Sequence, residues 1–445
     1  MGCVCKATSR SEVALHFPVT SCPKEIRRVA DEFKDIVGPQ HYRAFVAVLC
    51  GAIFGVACFS VIVRCFVFSP SVSSICRLYD ARHMVDKLNN RHRKRILRLL
   101  GDVQKDPSRY LWAIDDTLIE HSGRKIWGAY YWHDHNSNGT AFGHKLLVLG
   151  LVDRKRRVLI PVFWEILHRV GEKNHEKGWK VAKRLLKHAA AFGFPKFTVV
   201  ADSWFAGEEF FDALVGEKLG FDFVIEIKSN RKVVGHEKKG NLDIGVNEFF
   251  KSGKRAKIFY WGKKKWAAEA IVWFKDSKRR MKVVAVANKK TLEEEPFAFY
   301  VSNRLTWNSS KLWAVARDRW TIEVQFRDLK QIFALGEAAV RSQKAVETSI
   351  SVSAIALTVI RLEQLSQADA NEDQHIRPRP AGSIVRDYQL QSLTKSISEL
   401  AVQGDTPTKQ RLYARFNREN FDRKPTERLQ APQTRTEGRD MRKAA

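Results

Sequence analysis

The chain has 445 residues, 44% of them hydrophobic and 11% aromatic, which is too long for one ordinary domain and apolar enough to exclude global disorder. Its 77 lysines and arginines oppose 49 acids, a formal net charge of +28. Self-repulsion on that scale is offset by a polyanionic partner, usually nucleic acid, whereas a small acidic substrate does not need charge spread along a whole chain.

All seven cysteines (Cys3, Cys5, Cys22, Cys50, Cys58, Cys65 and Cys76) lie in the first 76 residues. An odd, clustered set excludes a secreted disulfide framework and implies free thiols in a reducing, cytoplasmic setting. Cys3 and Cys5 have no second pair at zinc-site spacing. The start Met1-Gly2-Cys3 is no myristoylation signal, because position 6 is Lys6. Residues 44–63 (AFVAVLCGAIFGVACFSVIV) carry no charge and are long enough to span a bilayer. Arg64 follows at once and Gly51, Gly55 and Ser60 dilute the run, so a buried helix or helix pair is expected, with no membrane partner.

Residues 1–104 read as a helical, DNA-binding domain. Lys24 to Asp35 is amphipathic, and the basic run Arg91 to Arg95 sits on a later helix. A helix-turn-helix would suit DNA, although no diagnostic turn is visible. From Tyr110 the pattern changes to strands: YLWAID (110–115), HKLLVLGLV (144–152) and RVLIPVFWEI (157–166). A helix from Glu176 to Phe192, strand FTVVAD (197–202), a helix from Gly207 to Lys218 and strand FDFVIEIK (221–228) follow. Three strands and then alternating helix and strand make an α/β mixed sheet with helices on both faces, in the order of a ribonuclease H-like core, here residues 105–230. Residues 231–302 form a β-rich insertion with lysine-rich connections, among them Lys263, Lys264 and Lys265, which suit a phosphate backbone. The core resumes over 303–365 with a long helix from Lys311 to Phe333 and an apolar helix from Ala345 to Leu365. Residues 366–445 are a basic, largely disordered tail with a short helix near Gln389 to Ala401.

Three acids stand at places suited to shared chemistry. Asp115-Asp116 ends one strand and Asp202 another, and open sheets bind ligands at the carboxyl ends of their strands. Adjacent strand residues face opposite ways, so only one of Asp115 and Asp116 enters a shared site. On the helix ARDRWTIEVQFRDLKQIF, Arg319, Glu323 and Lys330 fall within about 40° of one another at roughly 100° per residue. Ile322, Phe326, Leu329 and Phe333 form a separate stripe that packs the helix. Three carboxylates of this kind are the donor set for two magnesium ions acting on a phosphodiester, with Arg319 and Lys330 available for its phosphates. The bland alternatives are an exposed Arg319–Glu323 pair and aspartates that cap helices.

These residues resemble the DDE transposases of bacterial insertion sequences, in the branch with a Tyr-x2-Arg-x3-Glu-x6-Lys signature. Arg319, Glu323 and Lys330 match its spacing, while Ala316 stands at the tyrosine position. The resemblance covers residues 105–345. Its first aspartate precedes a threonine, which selects Asp116 (before Thr117), and its second matches Asp202. It implies metal ligation and catalysis by Asp116, Asp202 and Glu323, with two Mg2+ ions for which Mn2+ substitutes. It further implies cut-and-paste transposition: hydrolysis at terminal inverted repeats of double-stranded DNA, then attack of the freed 3′ hydroxyl on the other strand or on target DNA, in a homodimeric synaptic complex. A catalytically decayed DNA-binding protein is the alternative that Ala316 invites.

Other candidates are weaker. His133-Asp134-His135 has no third histidine and reads as a polar loop. His144-Lys145 reads as sheet edge or DNA contact, and Trp204 as core packing.

Overall fold

The computed structural model describes residues 19–99, 101, 106–123, 125–134, 139–216, 219–234, 243–251, 256–260, 263–274, 279–288, 298–369, 378–401 and 410. The chain opens with α1 (Lys24–Asp31), α2 (Lys34–Val37), α3 (Pro39–Ile53), α4 (Phe59–Cys65), α5 (Val72–Asp80) and α6 (Met84–Leu99). The uncharged run at 44–63 is a helix pair, not one span. Helix α3 stops at Ile53, Gly55 turns the chain at φ +78°, which suits a residue without a Cβ, and α4 begins at Phe59. Residues 44–53 of α3 are buried without exception, so their apolar surface is spent inside the protein. Among the described residues, the helix that passes a membrane test by composition is Gln343–Ala368, and 89% of its apolar window is buried inside the fold.

Most of the basic run on α6 is engaged in internal contacts, with Lys94 left exposed. Arg95 pairs with Glu32, Arg91 reaches Asp35 and the Glu32 carbonyl, and Arg93 lies 4.2 Å from the Phe163 ring centre. His92 is buried, 2.9 Å from the Pro161 carbonyl, and burial pushes its imidazole down to about 3. Together these contacts fasten the N-terminal helices to the sheet.

Twelve strands among the described residues form one sheet: β1 (Tyr110–Glu120), β2 (Tyr130–Asp134), β3 (Gly139–Asp153), β4 (Val158–Leu167), β5 (Thr198–Ala201), β6 (Phe223–Ile227), β7 (Lys232–Val234), β8 (Asp243–Gly245), β9 (Ala256–Tyr260), β10 (Lys263–Phe274), β11 (Arg280–Ala287) and β12 (Ala298–Ser302). Helices α7 (Gly178–Ala191), α8 (Glu208–Val215) and α9 (Val246–Phe249) punctuate the strands. After them come α10 (Ser309–Asp318), α11 (Trp320–Gln331), α12 (Gln343–Asp369) and α13 (Ala381–Ala401).

The central order is β4-β3-β1-β5-β6, with β3 antiparallel to β1 and β4, and β1, β5 and β6 parallel. Three antiparallel strands leading into parallel ones are the arrangement of a ribonuclease H-like core, as expected. The strands after β6 do not build a separate layer. Strand β12 pairs antiparallel with β6, and β11 and β10 continue outward, so they widen the same sheet.

Alternation along the strands divides the interior in two. Leu111, Ala113, Val148, Val200 and Val224 face one core, which they share with α3, α11 and α12. Trp112, Ile114, Leu149, Val199 and Phe223 face the other, under α7 and α8. This division decides which acids can meet.

Three expectations are corrected here. The helix expected over 311–333 is two helices joined at Arg319, where the Ile322 amide donates to the Arg319 carbonyl three residues back. His133 and Asp134 belong to strand β2, paired with Thr140 and Gly139, and not to a loop; His135 lies outside the described residues. Helix α13 begins at Ala381 because Ile384, Val385 and Tyr388 bury into the first core, while residues 402–409 and 411–445 lie outside the described residues.

Candidate active site

Asp115 follows Ala113 by two residues on β1 and shares its face, the one covered by α11. Asp116 follows Ile114 and takes the opposite face. On β5 the alternation Val199, Val200, Ala201 brings Asp202 to the face of Val200, beside Asp115. Strand β6 pairs Ile225 with Ala201, which sets Glu226 next to Asp202 on that same face.

Helix α11 supplies the rest. Its stripe is buried as the periodicity requires, with Ile322 at 0% exposure, and Phe333, just past the helix end, is buried as well. The flank therefore turns toward the middle of β1 and the end of β5. Arg319 lies at the centre: one guanidinium nitrogen is 3.1 Å from an Asp115 oxygen, and another is 3.1 Å from a Glu323 oxygen one turn on. Burial works to lower the Arg319 guanidinium, but the charges of Asp115, Glu323, Asp202 and Glu226 outweigh it and hold it above its ordinary value. Four acids converging on one arginine are more than an exposed helix pair.

The acids respond in kind. Burial, then the charge of Asp202, raises Asp115 to about 8 despite the nearby guanidinium. Burial also raises Asp202 and Glu226, each partly offset by Arg319. A cluster of buried carboxyls held by one guanidinium is short of positive charge.

The structure thus brings together Asp202, Glu323 and Arg319 with Asp115, and leaves Asp116 on the other face. There Asp116 lies 3.1 Å from the ammonium of Lys145, which also stands 4.4 Å from the Trp204 ring centre. Trp204 is 48% exposed and not core; its indole lies so close to Gly178 that a Cβ there would come within 2.3 Å of it. His144 is buried, bonded to His121 at 2.7 Å and to the Trp127 carbonyl at 2.7 Å, so it is neither sheet edge nor exposed contact. Lys330 is exposed on the flank of α11. Lys265 bonds Asn288, while the side chains of Lys263 and Lys264 lie outside the described residues. Ala316 is buried in the first core.

Two members of the cluster escape a motif-based reading. Asp115 lacks the following threonine that selects Asp116, and because both faces of β1 are apolar and buried, only the packing of α11 shows that Asp115 shares its face. Glu226 carries no motif, and its only signal is the register that makes it the neighbour of Asp202.

As the side chains lie, no group of three or more His, Cys, Asp or Glu among the described residues surrounds a common metal position, because Arg319 holds the middle. The chemistry of the donor set nevertheless fits a divalent hard cation. All the groups are carboxylate oxygens, and their raised affinities for protons mark an electrostatic deficit that a dication would fill.

A family model described as DDE superfamily endonuclease matches residues 82–240, a segment containing Asp115, Asp202 and Glu226. No curated protein matches the chain. Among solved structures, the piggyBac transposase synaptic complex with hairpin DNA is similar at 11% identity and a TM-score of 0.45, covering 94% of this chain and 86% of that one. The ribonuclease H-like assignment rests on strand order, and over residues 82–240 the sequence is similar to the DDE superfamily endonucleases.

Proposed function

We propose that the protein is a transposase that cuts and rejoins DNA at Asp115, Asp202 and Glu323 with the help of magnesium. The observation that carries this reading is Arg319, paired with both Asp115 and Glu323 and electrostatically tied to Asp202. It draws an acid from the middle of β1, which runs on to Glu120 rather than ending at Asp115-Asp116, an acid from the end of β5 and one helix acid onto a single face.

Asp115, Asp202 and Glu323 would hold the ions, with Glu226 behind them as a fourth negative charge. Bound magnesium supplies activation of the attacking oxygen and stabilisation of the leaving one. The remaining work falls to side chains. Arg319 orients Asp115 and Glu323, and its two-pronged guanidinium would suit a phosphate held beside them. In the first step water oxygen bonds to phosphorus, the bond from phosphorus to the 3′ oxygen breaks, and a 3′ hydroxyl and a 5′ phosphate remain. In the second step that hydroxyl oxygen bonds to the phosphorus of another phosphodiester, the bond from that phosphorus to its own 3′ oxygen breaks, and the released 3′ oxygen takes up the hydroxyl proton. Inverted repeats at the ends of the element are the substrate, and two copies of the chain pair them.

The test is cleavage of DNA that includes the sequences flanking the gene, in magnesium. Glu323→Gln and Asp202→Asn are each expected to lower the rate by about 10³-fold or more, the scale of losing a principal electrostatic group; cutting left intact in both would reject the assignment. Ala316, buried where the resembling family has a phenol, favours one second reading: a DNA-binding protein without cleavage. That reading expects salt-sensitive binding and no metal-dependent product.

A further inference from the structure

A cleft of about 1370 Å³ opens between α11, the turn joining β3 to β4, and α13. It exceeds the roughly 300–1,000 Å³ of small-molecule pockets, which suits a polymer better than a metabolite. Its walls carry six cations (Arg156, Arg157, Arg327, Lys330, Arg361 and Arg386) against two acids, Asp328 and Glu337. Asp328 and Arg361 neutralise each other at 2.8 Å, which leaves five cations against Glu337, whose proton affinity burial raises. Arg361 sits buried on the cleft wall, and its Nε has no hydrogen-bond partner.

The backbone singles out the same place. Non-glycine residues at positive φ are uncommon, and among the described residues there are three: His83, Arg157 at +55° and Ala334 at +50°. Two of them line this cleft. Holding an arginine and an alanine in the left-handed region costs free energy that persists where the surroundings or function demand it.

The cleft also adjoins the acids. Lys330 belongs to its lining and to the Arg319–Glu323 flank, and lies seven residues beyond Glu323, about 10.5 Å along the helix. That is roughly three base-pair steps of a DNA strand. The chain's own C-terminal segment is an unsuitable occupant, since residues 402–445 carry 11 basic and 6 acidic side chains and would be repelled.

We infer that this cleft is the track for the phosphodiester backbone of the DNA strand leaving the carboxylate site. Arg327 and Arg386 are exposed at its walls and contact phosphates, while the turn Arg156–Arg157 closes the far side. The inference rests on the reading that DNA is the substrate, and adds where the strand runs.

The test uses the full chain, a fluorescent 30-base-pair duplex (an arbitrary length of about three helical turns) and a salt titration in EDTA. Losing two phosphate contacts in the Arg327→Gln/Arg386→Gln double variant is expected to flatten the slope of log affinity against log salt by roughly 1.8. The melting temperature should be unchanged, since both side chains are exposed. A control pair, Lys183→Gln/Lys187→Gln on α7, removes equal charge from the opposite face of the sheet and should move the slope much less. An unmoved slope in the cleft variant, or an equal shift in the control, overturns the inference, as does absence of any duplex binding. Binding that depends on the cleft without any cutting would leave this inference standing and reject the cleavage reading. Normal cutting with an unmoved slope would do the reverse.

Discussion

Asp115→Asn is expected to lower magnesium-dependent DNA cleavage by about 10³-fold or more, whereas Asp116→Asn is expected to cost less than about tenfold. The two acids are adjacent and chemically identical, so the difference is one of placement. A strand turns successive side chains to opposite faces. Asp115 faces α11, where its oxygen is 3.1 Å from Arg319 and its proton affinity is raised in part by Asp202. Asp116 faces the other core and lies 3.1 Å from Lys145. Removing that second pair touches a partly exposed contact of modest worth. Parallel rate measurements on the two variants, at the same DNA and metal concentrations, decide between them. A dead Asp116→Asn beside a competent Asp115→Asn would reverse the assignment.

Arg319→Ala should have the largest effect on stability in the absence of metal, a loss of about 3 kcal/mol at pH 8, the scale of breaking a buried pair. The guanidinium is the shared counter-charge of Asp115, Glu323, Asp202 and Glu226, and its side chain is only 13% exposed. Without it, the acids relieve their repulsion by taking up protons. Asp115 in the intact protein already holds its proton up to about pH 8, against an ordinary 3.8. Between those values the folded chain binds a proton that the unfolded chain has released, so this group's contribution to stability is present at low pH and is lost as pH rises through 8. In Arg319→Ala the same loss should steepen between pH 5 and pH 8, and magnesium should restore stability by substituting for the missing charge. Thermal melting at both pH values, with and without magnesium, checks this. Equal melting temperatures for the wild type and the variant at pH 8 in EDTA would show that Arg319 is not the centre of the cluster.

Much of this arrangement is legible from residues alone. The apolar strand Tyr110 to Ile114, the strand-end Asp202 and the helix stripe Ile322, Phe326, Leu329, Phe333 follow from alternation and helical period. Strand β2 escapes because it is only five residues long and Tyr130 to His133 are not buried, so that pairing with β3 rather than burial holds it. The helix break at Arg319 is invisible because the apolar period runs through it, and two three-residue hydrogen bonds, Arg319 to Ala316 and Ile322 to Arg319, mark it. Glu226 joins the site through sheet register, a long-range property that no local pattern encodes. Helix α13 looks like polar tail until Ile384, Val385 and Tyr388 meet a core built hundreds of residues earlier. The threonine neighbour points to Asp116, whereas the fold sets Asp115 beside Arg319 and Asp116 beside Lys145, a difference that depends on which face the helix covers.

The central claim is that Asp115, Asp202 and Glu323 jointly bind a divalent ion. Iron(II) with ascorbate, which breaks a polypeptide backbone where the metal is bound, measures that directly. The account expects fragments ending near residues 115, 202 and 323, suppressed by magnesium and absent in Asp115→Asn. Cuts elsewhere in the chain, or cuts that survive both excess magnesium and Asp115→Asn, would contradict it.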